Sequence, residues 1–258
     1  MDSVKAVKIP PLGNLIPDGI KPGTMLLVEF DPESQWFSIA TTLAANTFRD
    51  DRYVGYLAMA RPVEDVKQSL SEIGIDVRQT KALERLVVED WYSATRSGGR
   101  LEPHGPEVFE RTAEGLRVRS LRIADLSVDW LTTSKSGPRV YDIVDFWPPA
   151  SLVIVESFSA ILRFNDEKPF VEWLESRVNP EERKRKSITL QGIVRGVHSE
   201  WLYKRMESTC DGVVDLRVME REEETSTFLR VRSLKGQPHD SRWHEIEIRS
   251  NGEAGFTA

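Results

Sequence analysis

One short stretch limits the fold of this chain more than any other. The run Met25–Phe30 is apolar except for Glu29, which is typical of a strand covered on both faces of a sheet. A loop of a few residues follows it, and then Ile39 and Leu43 begin an apolar pattern at helical spacing that ends near Arg49. A strand, a tight loop and a helix in succession indicate an α/β layered domain.

The loop after this strand has the spacing of a phosphate-binding P-loop but not its residues. That motif reads G-x-x-x-x-G-K-[ST], because glycines let backbone N–H groups turn toward phosphates, the lysine neutralises them and the hydroxyl holds Mg²⁺. Here the four positions are Phe30, Gln35, Trp36 and Phe37, and Glu33 adds a carboxylate in the middle of the loop. Each close contact between that carboxylate and a phosphate would cost roughly 4 kcal/mol. The sequence therefore disfavours ATP with Mg²⁺, and no cofactor is expected.

Length and charge favour one domain without a general affinity for polyanions. A chain of 258 residues with 40% hydrophobic residues can bury a large core, so residues 1–258 are interpreted as a single domain. Within it, residues 1–24 are a leading segment rich in Pro and Gly, and residues 94–140 are insertion-like. The net charge of −6 gives no global electrostatic reason to expect nucleic acid or an anionic membrane as a partner.

The cellular setting is predicted from cysteine use and from the absence of long apolar runs. Cys210 is the one cysteine, which excludes an internal disulfide framework and a cysteine metal cluster. The N-terminus has no apolar signal core, and no apolar run approaches the roughly 20 residues that cross a bilayer. We therefore expect a cytoplasmic protein without a membrane segment.

The remaining periodic segments alternate between strands and helices and then become β-rich. Continuous apolar runs predict strands at Tyr53–Met59, Leu86–Trp91, Ser151–Glu156 and Ile188–Val194. Helical spacing predicts helices after Pro62, around Phe170 before Pro180, and at Glu200–Thr209. Three tail segments alternate apolar and polar residues, as antiparallel strands with one wet face do: Gly212–Met219, Thr227–Leu234 and Trp243–Arg249.

Four blocks, in order, resemble the KaiC-like ATPases of the RecA superfamily. They are the turn and strand from Gly19 to Pro32, the segment Tyr56–Asp65, the Walker B-like strand Leu152–Ile161, and the closing segment Leu229–His239 that runs on to Trp243–Ile248. Together they frame most of the chain except roughly residues 78–140. The resemblance implies a RecA-like three-layer α/β/α fold with a mostly parallel central sheet and antiparallel strands at its C-terminal end. Because RecA-like domains hold nucleotide at the seam between subunits, it also implies a protein partner, either a second copy or a relative.

The sequence departs from this family where the chemistry would occur. The family has paired glutamates that orient the attacking water, whereas this chain has Met59 and Ala60, which cannot accept a proton. The closing motif's Lys and Arg are Ser233 and Lys235 here, so half of that positive clamp is missing. Glu156 replaces the Walker B aspartate and would be the single remaining anchor for a metal ion.

These departures favour a non-catalytic RecA/KaiC-like domain that acts as a binding, scaffold or regulatory module, paired with an active relative. Trp36 and Phe37 are interpreted as core residues that plug the phosphate position rather than as platforms for stacking a base, since large aromatic side chains usually bury. Glu156 is interpreted in the same way, as a buried and hydrogen-bonded residue at a strand end.

Two alternatives belong to other functional classes. The first is a residual ATP-binding protein or slow ATPase with a degenerate nucleotide site made of Ser34, Ser38, Glu156 and Lys235. The second is a DNA-recombination accessory protein, whose DNA affinity would depend steeply on salt. The acidic balance of the chain makes nucleic acid the less favoured partner.

Some smaller patterns have a structural interpretation that we prefer to a functional one. His239 and His244 have acidic neighbours, but we assign them to a strand and turn rather than to a metal site. The basic cluster Arg183–Lys186 follows two glutamates and is interpreted as a solvated loop rather than a nucleic-acid contact. Three tryptophans in or beside the poorly matched middle mark either an interface or a large core: Trp91, Trp130 and Trp147.

Overall fold

The computed structural model describes residues 5–77, 85–92, 107–112, 115–120, 149, 151–163, 165–221 and 224–257. The strands are β1 (Met25–Phe30), β2 (Val54–Ala58), β3 (Leu86–Asp90), β4 (Glu107–Thr112), β5 (Gly115–Ser120), β6 (Leu152–Val155), β7 (Ile188–Val194), β8 (Gly212–Arg221), β9 (Glu224–Leu234), β10 (His244–Ile248) and β11 (Ala254–Phe256). The helices are α1 (Trp36–Arg49), α2 (Val63–Glu72), α3 (Phe158–Leu162), α4 (Glu167–Trp173), α5 (Asn179–Arg185) and α6 (Glu200–Thr209), with a 3₁₀-helix at Leu12–Leu15 and a π-helix at Leu174–Val178.

The described strands other than the separate hairpin β4–β5 form one mixed sheet in the order β11-β10-β9-β8-β1-β7-β6-β2-β3. The strands from β8 to β3 in this order run parallel, and β8, β9, β10 and β11 pair antiparallel. β8 ends at Arg221 and its antiparallel partner β9 begins at Glu224, so only two residues of sequence separate them, too few for a parallel crossover. A mostly parallel sheet with an antiparallel C-terminal end confirms the predicted fold class.

Two apolar clusters, one on each face of the sheet, give the domain its three layers. Side chains alternate along β1, so Leu26 and Val28 belong to the cluster beneath α1 and α2, whereas Leu27 belongs to the cluster beneath α3, α4 and α6. Every residue of β1 is buried. This double burial explains why the strand is a continuous apolar run rather than an alternating one.

Most predicted elements are confirmed to within a few residues, and one prediction is wrong. The basic cluster Arg183–Lys186 is not a solvated loop, because its residues up to Arg185 lie in α5 and only Lys186 follows it as a left-handed cap. Glu182 in the same helix is fully buried, accepts a hydrogen bond from Thr189 Oγ1 at 2.8 Å and pairs with Arg185 at 3.3 Å. The local sequence favours this helix, with a proline at its start, acids in its first turn and bases in its last, and the hydrogen bond between Glu182 and Thr189 holds it against β7.

Two predictions concern residues that fall partly or wholly outside the described ranges. The insertion-like region 94–140 is represented by the hairpin β4–β5, and the rest of it lies outside the described residues. Trp130 and Trp147 lie outside them as well, whereas Trp91 is buried at the end of β3. Across the described part of the chain, every helix is too short or too polar to span a bilayer.

Candidate functional site

The candidate site lies at the carboxyl edge of the parallel strands, where the loops after β1, β2, β6 and β7 meet. In parallel α/β sheets this edge is where ligands usually bind. The loop after β1 is held against β8: the Asp31 N–H donates to the Leu216 carbonyl at 3.1 Å, and the Asp31 carboxylate accepts from the Val218 N–H at 3.0 Å. Glu33 and Gln35 in the same loop are exposed.

Trp36, at the position of the motif lysine, is buried in the core with 1% of its surface exposed. Its indole N–H donates to the Glu156 carbonyl at 2.8 Å, and its ring stacks on Phe30 with centroids 5.8 Å apart. Gly192 of β7 makes this approach possible, because a Cβ there would lie 2.3 Å from the Glu156 carbonyl oxygen and 3.1 Å from the indole nitrogen. A larger residue than glycine would therefore displace the tryptophan or the end of β6.

Glu156, at the position of the Walker B acid, is completely buried and its carboxylate is saturated with hydrogen bonds. Oε1 accepts from the Tyr56 hydroxyl and from Arg61 Nε, both at 2.9 Å. Oε2 accepts from the backbone N–H groups of Met59 and Ala60, both at 2.8 Å. A carboxylate offers about four lone-pair positions, so all of them are occupied by the protein itself.

Arg61 supplies the positive charge that faces this carboxylate. Its guanidinium lies over the Phe37 ring, 5.2 Å from the centroid, and also donates to the Tyr56 hydroxyl at 3.2 Å. Burial lowers the pKa of Arg61, but Tyr56 and Glu156 outweigh burial, so the pKa is raised and the side chain stays cationic. Burial, with the Glu156 charge, raises the pKa of Tyr56 well above its usual range, so the phenol stays neutral and donates its proton.

The structure places three of the four predicted site residues at this edge and one elsewhere. Ser34 is buried, and its hydroxyl has no hydrogen-bond partner among the described residues. Ser38 is half-buried in the first turn of α1, and Glu156 lies at the end of β6. Lys235 follows β9 at the opposite edge, where its ammonium donates to the carbonyls of Ser208 at 3.0 Å and Cys210 at 2.6 Å.

Sequence reasoning missed the residues that complete the Glu156 network, namely Tyr56, Arg61 and Gly192. Arg61 directly follows Met59 and Ala60, which the sequence aligns with the family's paired glutamates. An arginine beside these apolar residues was the available sequence signal that a buried acid lies nearby. The glycine carried no signal, because its role is to leave room for Trp36 and becomes apparent only when β6 and β7 are paired.

The histidines and acids of the C-terminal strands have other contacts. His244 Nε2 lies 3.2 Å from the Asp240 carboxylate, and its ring lies against Phe256 with centroids 5.3 Å apart. His239 Nδ1 lies 3.0 Å from the carbonyl of Gln237. The described ranges contain no group of three or more His, Cys, Asp or Glu side chains arranged to hold a metal ion.

Known proteins resemble this chain in structure, but the sequence comparisons find no match. No family model matches the chain, and no curated protein matches it by sequence. A solved structure does match: a KaiC-like protein from the hyperthermophilic archaeon Pyrococcus horikoshii superposes with a TM-score of 0.68 over 99% of both chains, at 15% sequence identity. The chain therefore shares the fold of that KaiC-like protein and little of its sequence.

Proposed function

We propose that this chain is a RecA/KaiC-like domain that does not turn over nucleotide and acts as a binding or regulatory module for a protein partner. The fold likeness supports the RecA/KaiC-like architecture. The non-catalytic role is supported above all by the saturation of Glu156, whose carboxylate is paired with Arg61 at 2.9 Å.

A metal-bound nucleotide would have to displace contacts that already stabilise the fold. To coordinate Mg²⁺ directly, Glu156 would give up at least two of its donors, and each hydrogen bond to a charged group contributes about 1.5–3 kcal/mol. A micromolar ligand gains about 8 kcal/mol in total, so this penalty alone would remove two or more orders of magnitude in affinity. Trp36 at the lysine position adds a second obstacle, because its indole is buried between Phe30 and Gly192.

Calorimetric titration and thermal unfolding test the claim that the protein does not bind nucleotide. Titration with ATP or ADP in the presence of Mg²⁺ should give no saturable heat. At 1 mM nucleotide the midpoint of unfolding should not move, whereas a ligand with a dissociation constant of 10 μM would add about 2.7 kcal/mol of stability. Saturable binding that requires Mg²⁺ would contradict the proposal.

The unpartnered hydroxyl of Ser34 is the one observation that favours a residual nucleotide site. In that alternative Ser34, Ser38 and Glu156 form a rearranged site with slow ATPase activity. Glu156→Gln would then abolish hydrolysis and Ser34→Ala would weaken nucleotide binding. If no hydrolysis above the buffer rate is measured in the unmodified protein, the alternative is wrong.

The claim that the chain binds a protein partner is tested separately, because it does not depend on whether nucleotide binds. The architecture supports a second copy or a KaiC-like relative as partner, since RecA-like domains resemble one another in assembling side by side. Sedimentation velocity over a hundredfold range of protein concentration should show self-association that ATP does not change. A monomer at every concentration would exclude the second copy, and mixing with a purified KaiC-like ATPase would then test the remaining form of the proposal.

A further inference from the structure

A second polar cluster lies at the same edge of the sheet and takes no part in the Glu156 network. It contains Ser159 near the start of α3, His198 in the turn after β7, and Glu167 at the start of α4. Two consecutive helices and a turn more than 30 residues further along the chain therefore bring a hydroxyl, a carboxylate and an imidazole together.

Two distances define the cluster. The Ser159 hydroxyl oxygen lies 2.8 Å from His198 Nε2, within hydrogen-bond range. His198 Nδ1 lies 3.9 Å from Glu167 Oε1, which is close enough for charge interaction but too long for a direct hydrogen bond. Ser159 Oγ also accepts a hydrogen bond from the Val194 N–H at 3.0 Å, which fixes the oxygen against the end of β7. A hydroxyl, an imidazole and a carboxylate in this order are the parts of an activated nucleophile, in which the acid orients the base and the base takes the hydroxyl proton.

The turn that carries the imidazole is held rigidly by Tyr203 of α6. The Tyr203 hydroxyl accepts from the Val197 N–H at 3.2 Å and from the His198 N–H at 3.3 Å, and it donates to the Val194 carbonyl at 2.7 Å. These bonds fix the backbone of the turn, and the contact with Ser159 at 2.8 Å positions the imidazole, so less entropy is lost in reaching a reactive geometry.

The carboxylate is fixed as well. Glu167 Oε1 accepts from the Ser199 N–H at 2.9 Å, and Oε2 makes a short contact with the Ser199 hydroxyl. Burial raises the pKa of Glu167, but the hydrogen bonds from the Ser199 hydroxyl and N–H outweigh burial and lower it, so the side chain is an anion at neutral pH. An anion facing Nδ1 favours the tautomer with a proton on Nδ1 and a free lone pair on Nε2.

The imidazole is in the state that a general base requires. Burial lowers the pKa of His198, and Glu167 only partly opposes this effect, so the ring is neutral at pH 7. The charged or titratable groups that face it are Glu167 from α4 and Tyr203 from α6, whose ring centroid is 6.1 Å away. The free lone pair on Nε2 can therefore accept the Ser159 proton.

We propose that Ser159 is a nucleophile that activated carboxylic esters acylate, with His198 as the general base and Glu167 as a positioning residue. Ser159 Oγ forms a bond to the ester carbonyl carbon, its proton passes to His198 Nε2, and the C–O bond to the leaving group breaks. The leaving alkoxide takes that proton. Water, deprotonated by the same imidazole, then attacks the acyl-serine, so the acid is released and the serine hydroxyl is restored.

The side chains beside the cluster favour apolar esters. Val197 is 58% exposed and immediately precedes His198, and Trp201 is 48% exposed on the first turn of α6. They are the large apolar side chains exposed in the described part of the chain. Ser159 itself is half-buried rather than enclosed in the core.

The experiment uses a fluorophosphonate with an alkyl chain, which labels activated serines and spares lysines. The serine oxygen bonds to phosphorus, fluoride leaves, and the proton goes to the imidazole and then to solvent. Intact-mass measurement and peptide mapping should show one adduct, on Ser159. Ser159→Ala should abolish it, whereas Ser157→Ala, two residues away at a buried hydroxyl with no partner, should label at the wild-type rate.

Variants of His198 and Glu167 test whether these side chains activate Ser159 chemically or only pack against it. His198→Gln keeps a hydrogen-bonding side chain but removes the base, and should slow labelling at least about 100-fold without loss of the folded state. The wild-type labelling rate should rise through a pKa below 6.5 and be flat above pH 7, and Glu167→Gln should move that midpoint lower still. Cys210 does not compete, because burial raises the pKa of its thiol to about 12.

No adduct on Ser159, or an adduct that forms equally fast in His198→Gln, would overturn the inference. Hydrolysis of p-nitrophenyl butyrate, followed by nitrophenolate release, tests the turnover step, and it should be lost in Ser159→Ala. The nucleotide proposal is unaffected by either result, because none of these side chains contacts the Glu156 carboxylate.

Discussion

Two polar regions lie side by side at one edge of the sheet and differ in how their polar groups are paired. The first is the loop after β1 with the Glu156 network, and the second is the turn after β7 with the cluster of Ser159, His198 and Glu167. They are joined by the Arg195 N–H, which donates to the Phe30 carbonyl at 2.9 Å. In the first region the Glu156 carboxylate is completely buried and all its acceptor positions are filled from within the chain. In the second, Ser159 and His198 are linked to each other but are only partly covered. The aromatic and arginine side chains that enclose Glu156 therefore leave the neighbouring part of this edge partly exposed.

The largest expected difference between the two regions is the cost of removing a tryptophan. Trp36→Ala should lower the free energy of unfolding by about 3–5 kcal/mol, because it leaves a cavity and an unpaired Glu156 carbonyl. Trp201→Ala is the matched control, and its cost should stay within about 0.5 kcal/mol because the side chain is 48% exposed. Urea denaturation measures both. Equal losses would show that the first region is no more closed than the second.

The next effect comes from the ion pair in the closed region. Arg61→Met keeps the side-chain volume but leaves Glu156 buried without its cation, so about 3–5 kcal/mol of stability should be lost. The loss of unfolding free energy should lie near the lower end of this range, because solvent reaches the 18% of the Arg61 side chain that is exposed. The double variant Arg61→Met with Glu156→Gln should cost less than the sum of the single changes, since both remove one interaction. Strict additivity in a denaturation series would mean that the pair is not coupled.

Glu89 is another buried carboxylate, but among the described residues it accepts one side-chain hydrogen bond, whereas Glu156 accepts four. Its donor is the Trp91 indole N–H at 2.9 Å, and burial raises the pKa of Glu89 to about 7. The folded state then keeps a proton that the unfolded state loses near pH 4.5, so stability should fall as the pH rises from about 4.5 to 7. The expected loss is roughly 3 kcal/mol.

The matched control is Glu89→Gln, which cannot ionise. The difference in unfolding free energy between this variant and the wild type should be small at pH 4.5 and should grow in favour of the variant up to pH 7. A difference that does not change with pH would show that Glu89 has other partners that hold its charge.

The smallest effects distinguish the serines of the two regions. Ser34→Ala removes a buried hydroxyl without a partner, so the protein should be unchanged or slightly more stable, by less than about 1 kcal/mol. Ser159→Ala removes an oxygen that bonds both His198 and the Val194 N–H, and should cost about 1 kcal/mol. Paired thermal melts give the two values, and a clear loss in Ser34→Ala would reveal a contact of that hydroxyl.

Much of the fold could be predicted from local pattern. The apolar run Met25–Phe30 is observed as β1, and the alternating tail segments are observed as β8, β9 and β10. These succeed because burial on one or both faces of a strand leaves a direct trace in residue order. The segment Asn179–Arg185 shows the limit of such reasoning: its proline, acidic first turn and basic last turn favour a helix, but the burial of Glu182 against Thr189 leaves no trace in the residue order.

The sequence by itself determined the α/β fold class, and it predicts a phosphate-loop frame without the usual residues for phosphate and metal binding. Only the tertiary structure decided how the side chains at those positions are paired. Glu156 is joined to Tyr56 across 100 residues of chain and to Arg61 across 95, and Ser159 to His198 across 39. Hydrogen bonds and ion pairs depend on the positions of atoms to within a fraction of an ångström. Residue order fixes which groups exist, and the packing of the strands fixes which of them meet.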